Sequence, residues 1–84
     1  MTYTERQKNK MMDRSFDAAC LTVKGETEWA EQIMTRLTNT YPEIKDYLGQ
    51  MYEFYVNMVT NNNTFLTRAD YMIANRDKLT LQYK

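Results

Sequence analysis

Residues 41 to 60 form a helix-like segment whose apolar face is too wide for a single neighbour. At about 100° per residue, Tyr41, Ile44, Tyr47, Leu48, Met51, Tyr52, Phe54, Tyr55, Val56, Met58 and Val59 cover roughly 200° of arc. Only Asp46, Gly49, Gln50, Glu53, Asn57 and Thr60 make a polar stripe. A surface helix of a small domain needs about half that apolar width, so this segment is either central to its own fold or shared with a partner.

With 84 residues the chain makes one domain, residues 1–84, near the size at which a single core gives only a few kcal/mol unless a metal, a disulfide or association helps. An intrachain disulfide is excluded because Cys20 is the only cysteine, and between Ala19 and Leu21 it reads as a small buried hydrophobe. The polar start carries no signal-peptide pattern, and with the lone cysteine this points to a reducing cytoplasm. No stretch approaches the ~20 apolar residues that span a bilayer.

The 11 basic and 11 acidic groups cancel, but they are unevenly placed. Residues 1 to 24 carry Arg6, Lys8, Lys10, Arg14 and Lys24 against Glu5, Asp13 and Asp17. The middle is acidic, with Glu26, Glu28, Glu31, Glu43, Asp46 and Glu53 against Arg36 and Lys45, and the end from residue 64 is basic again. Basic ends around an acidic middle favour antiparallel packing within or between chains; as exposed charges they also read simply as a solvated mixed surface.

Glycine and proline are scarce, so the breaks they mark carry weight. Thr4 and Gln7 have capping-box spacing, and Gly25 sits where a C-terminal cap belongs, which predicts a helix over about 5–23. Acids at 26 and 28 suit the start of a second helix, on which Trp29, Ile33 and Leu37 recur every four residues. Pro42 ends it, and Thr40 with Glu43 has the spacing of a second capping box, so the third helix follows with little loop. Three asparagines at 61–63 terminate that helix, and Thr64 or Thr67 then caps a fourth bearing Phe65, Ala69, Met72 and Ile73. The fold class expected is all-α, a self-associating bundle of about four helices. Strict alternation over 78–84 leaves an alternative, an α+β fold with a two-stranded patch at 20–23 and 79–83.

Chemistry is mostly excluded by absences. No histidine is present, which removes the usual neutral-pH base and the commonest transition-metal ligand, so no catalytic residue, metal site or cofactor is expected. Ser15, the single serine, has no nucleophile-elbow glycines around it. The carboxylate pairs Glu28 with Glu31 and Glu43 with Asp46 read as solvated faces. The chain is not expected to be an enzyme.

Binding is the remaining class. Seven tyrosines, seven methionines and one tryptophan suit interfaces, because tyrosine offers area with few torsions and methionine repacks to irregular surfaces. For Met34, Ile44, Leu48 and Met51 a core role is expected; Tyr47, Tyr52, Phe54, Tyr55 and Val56 are the expected partner or oligomer interface. Small size, no histidine and many Asn, Tyr, Met and Thr residues resemble accessory proteins of bacteriophages, a likeness of composition that transfers no functional residue. The leading expectation is a homo-oligomeric inhibitor or adaptor of a host protein, such as an anti-defence factor. Two alternatives use other residues. Arg6, Lys10 and Arg14 share a helical face beside Tyr3, as an RNA or DNA binder requires, although zero net charge weakens that reading. A sponge for a nucleotide-like small molecule would stack its base on Trp29 or a tyrosine.

Overall fold

The computed structural model describes residues 2–82. The chain runs through α1 (Glu5–Lys24), α2 (Thr27–Thr40), a 3-10 turn at Pro42–Ile44, α3 (Lys45–Asn61), a second 3-10 turn at Asn63–Phe65, α4 (Leu66–Ala74) and α5 (Arg76–Gln82). The fold is all-α, and no strand occurs among the described residues. Residues 20–23 lie inside α1 and 79–82 inside α5, which replaces the alternative two-stranded patch; residue 83 lies outside the described residues. The physical reason is local pairing: the Leu79 amide donates to the Asn75 carbonyl at 3.1 Å, and Leu79 reaches the main core, whereas two strands alone leave their outer edges unpaired.

Local chemistry sets most of the boundaries. At the start of α1, the Gln7 amide donates to Thr4 Oγ1 at 3.1 Å while the Thr4 amide donates to Gln7 Oε1 at 2.8 Å, a complete capping box. At its end Gly25 takes φ 99°, a geometry that penalises any Cβ. Its amide donates to the Thr22 carbonyl at 3.1 Å and that of Glu26 to Leu21 at 2.8 Å, the Schellman pattern. The second capping box does not form. Thr40 Oγ1 instead donates back to the Arg36 carbonyl at 2.9 Å, and Pro42 opens the 3-10 turn. After α3, Asn62 stays extended, and its Oδ1 accepts from the Thr64 amide at 3.2 Å and the Thr64 hydroxyl at 2.7 Å. Neither Thr64 nor Thr67 therefore caps α4. Asn75 separates α4 from α5, its side-chain amide donating to the Tyr71 carbonyl at 2.8 Å.

The central helix is α1. Asp17 is 4% exposed and Ala18, Ala19, Cys20 and Leu21 are 0% exposed; such a consecutive run covers every side of a helix, so neighbours surround it. Those neighbours are α2, α3 and α4. The main core joins Ala18, Cys20 and Leu21 to Ala30 and Ile33 of α2, Val59 of α3, and Ala69 and Met72 of α4. A smaller cluster joins Met11 to Leu37, Tyr41 and Leu48. Early α1 thus meets late α2 and early α3, and late α1 meets early α2 and late α3, an up-down-up arrangement. A bidentate charged pair ties α1 to α4: Arg68 Nε and Nη2 donate to the two oxygens of buried Asp17 at 2.8 and 3.1 Å.

Small side chains at Ser15, Ala18, Ala19 and Cys20 let three helices approach α1 at once. Ala18→Leu should therefore overpack the junction and destabilise the chain by about 1–3 kcal/mol. Ser15 is different, because its buried Oγ has no hydrogen-bond partner. Ser15→Ala removes that unsatisfied group and improves helix propensity, and should stabilise by about 1 kcal/mol. Thermal melts of the two variants check both signs; destabilisation by Ser15→Ala would contradict the burial described.

Candidate interaction surface

The wide arc of α3 divides into three sectors once α1 occupies the centre. Toward the core, Leu48 and Val59 are fully buried, and half-buried Tyr55 meets Phe16 of α1 edge-on at 5.6 Å between ring centroids. Toward α2 lie Lys45, Gly49 and Tyr52, with the Tyr52 hydroxyl 2.6 Å from the Thr22 hydroxyl of α1. Half-buried Val56 follows Tyr52 on that side at the next turn. The third sector faces outward: Tyr47 and Phe54 are 59% and 64% exposed, and half-buried Met51 and Met58 complete the row.

Of the five residues expected at an interface, the structure brings three together. Phe54 and Tyr55 touch edge to face at 5.8 Å, Tyr47 lies two turns before Phe54 on the outward row, and burial first, with Tyr47 and Asp13 after it, pushes the Tyr55 phenol upward. Tyr52 and Val56 lie on the other side, toward α2. Met12 and Tyr71 are 47% and 55% exposed; helical spacing puts Met12 on the apolar stripe of α1 with Phe16, Ala19 or Cys20 and Val23, but it is Met11 that is buried there.

The residues of the nucleic-acid and nucleotide readings are placed differently. Tyr3 is half-buried against Tyr41, centroids 5.6 Å apart and edge-on, and its hydroxyl donates to the Glu43 carboxylate. Arg6 and Lys10 are exposed on α1, while Arg14 is half-buried and engaged within the chain. Trp29 packs on the main core with the Arg76 guanidinium 4.9 Å above its ring, and Arg76 Nη2 donates to Glu26 Oε2 at 2.6 Å. Tyr3 and Trp29 are thus stacking surfaces already in use. Cys20 is buried, its Sγ 3.5 Å from the Phe65 carbonyl, and desolvation pushes the thiol up to about 11, the neutral and unreactive form at ordinary pH.

No helix among the described residues is long and apolar enough to cross a membrane. Comparison with protein-family models, with curated proteins and with solved structures finds no match to this chain.

The Tyr3 contact has a measurable pH signature. Donation to Glu43 and, less, burial push the Tyr3 phenol from 10.0 up to about 12, while the same hydrogen bond lowers the Glu43 carboxyl from 4.5. A raised phenol stabilises the fold below its ordinary range and loses that contribution as pH rises through its folded value. A lowered carboxyl stabilises above its ordinary range and loses the contribution as pH falls through its folded value. The contact is accordingly complete between the two ordinary values. In a near-ultraviolet titration Tyr3→Phe should delete a step near pH 12; deletion of an ordinary step near pH 10 would contradict the bond.

Proposed function

We propose that the chain is a non-enzymatic binding protein that acts as an inhibitor or adaptor by laying the outer face of α3 into an apolar groove of another protein. The observation that carries this reading is the exposed row Tyr47, Met51, Phe54, Met58. Its spacing of i, i+4, i+7 and i+11 is the anchor pattern of a helix read by a groove, and the core is complete without its two most exposed members. Each ring leaves on the order of 100 Å² in water, so full burial is worth about 2–3 kcal/mol per ring, the scale of an interface hot spot. Gln50, Asn57 and Asn61 flank one edge of the row without charge. A groove with a neutral hydrogen-bonding rim is the complementary surface.

Phe54→Asp separates this role from a structural one. An exposed position tolerates the charge, so helix content should be retained and stability should change by no more than about 0.5 kcal/mol. Affinity capture from bacterial lysate, run in parallel with the unaltered chain and the variant, should yield a protein that the variant fails to retain. Capture indifferent to Phe54, or unfolding of the variant, would overturn the proposal.

A further inference from the structure

We infer that α5 is an exchangeable arm, which docks on its own chain or, reciprocally, on a second copy of the chain to give a dimer. This contact is independent of the outer row of α3 and goes beyond the role proposed for it. Helices α4 and α5 are separated by a single residue, Asn75. On one side of the break the Asn75 amide still donates to the Tyr71 carbonyl at 3.1 Å, and on the other the Leu79 amide already donates to the Asn75 carbonyl at 3.1 Å. The residues through which the two helices dock also keep one register across the break, since Ala69, Met72, Arg76 and Leu79 recur at the three- and four-residue intervals of a single helix face. The local sequence therefore suits a straight helix over 66–82 as well as a bent one.

Asn75 itself holds the bend. Its φ of −115° and ψ of 25° depart from helical geometry by about 50° and 70°. Its Nδ2 donates to the Tyr71 carbonyl at 2.8 Å, the carbonyl that its own amide uses. Side-chain bonding of this kind to nearby backbone is what makes asparagine a poor helix former. Rotation at that one residue into the helical region redirects everything beyond it. Leu79 then leaves the main core, where it is buried, and the Arg76 guanidinium leaves the Trp29 ring and the Glu26 carboxylate. A straightened chain has an open site and an undocked arm that fits it.

The occupant is fixed by what the site already holds. It takes a buried leucine and, three residues before it on the same helix, an arginine whose guanidinium lies 4.9 Å above an aromatic ring and 2.6 Å from a carboxylate. The α5 of a second straightened copy carries that pair in the same register, so each arm fills the other chain's site. The docking contacts of α5 are the same in the closed chain and in the exchanged dimer, so their energies cancel. Two quantities then decide between the states. One is protein concentration, set against an effective concentration on the order of millimolar for an arm joined to its own chain. The other is the preference of residue 75 for the bend. Alanine in place of asparagine favours the helix about threefold, and with two hinges per dimer association tightens about tenfold.

Sedimentation of the full chain up to about millimolar concentration tests this. The unaltered chain should be mostly monomeric below that range. Asn75→Ala should associate at least tenfold more tightly and gain helix by circular dichroism. Three glycines inserted after Asn75 cannot form the straight helix and should leave a monomer throughout. Mixing identifies the exchange. On the Asn75→Ala background, Glu26→Arg and Arg76→Glu each set like charges together in the closed chain and in any dimer of one variant alone. A mixed dimer with exchanged arms sets opposite charges together at both sites, so the mixture should associate about tenfold more tightly than either variant. Phe54→Asp should leave the Asn75→Ala dimer intact. Association of Asn75→Ala no tighter than that of the unaltered chain, a dimer that survives the glycine insertion, a mixture no tighter than its separate variants, or a dimer lost on Phe54→Asp would each overturn the inference.

Discussion

Three helices can converge on α1 only because Ser15, Ala18, Ala19 and Cys20 are small. In a chain of this size the apolar area is limited, and close approach of helix to helix substitutes for bulk by raising the number of atoms in contact. Leu21, Val59 and Met72 fill what remains of that junction, all fully buried. The ion pair of Asp17 with Arg68 fixes the position of α4 on α1, and a second, more exposed pair joins Lys24 to Asp70 at 2.8 Å. Exposed pairs of the latter kind contribute little, so packing at the small residues is the main determinant of how α4 docks.

That arrangement has a consequence for α3. A helix at the edge of a bundle needs one buried stripe, and Leu48, Tyr55 and Val59 supply it. Tyr52, on the side toward α2, also packs on the main core and meets Thr22, while Tyr47 and Phe54 turn outward as apolar surface that the core does not use.

Local signals made much of the fold legible in the residues. The Thr4 and Gln7 box and the Gly25 cap follow from neighbours in sequence, and both helix ends formed as the spacing predicts. Where two local solutions competed, spacing was not decisive: Thr40 bonded back to its own helix, and Asn62 outcompeted both threonines for the start of the next turn. Alternation over 78–84 suggested a strand because periodicity cannot weigh the absence of paired edges. The identity of the central helix was hidden for a different reason. A hydrophobic arc counts large side chains, and by that measure α3 is widest, whereas α1 is buried through alanine, cysteine, serine and an aspartate paired 51 positions away. The outer aromatics were legible as surplus, but which of them point together required the docking of α1. Gly49 reads in the sequence as part of the polar stripe, whereas in the fold it lines the cleft between α2 and α3.

Amide hydrogen exchange measures the central position of α1 most directly, because protection grades with the free energy of the opening that exposes each amide. Amides from Ser15 to Leu21 should be the slowest in the chain and exchange only by global unfolding, while those of the outer half of α3 around Phe54 should exchange earlier by local opening. Amides of α3 that outlast those of α1 would show that the widest apolar helix, and not the one built of small residues, holds the fold together.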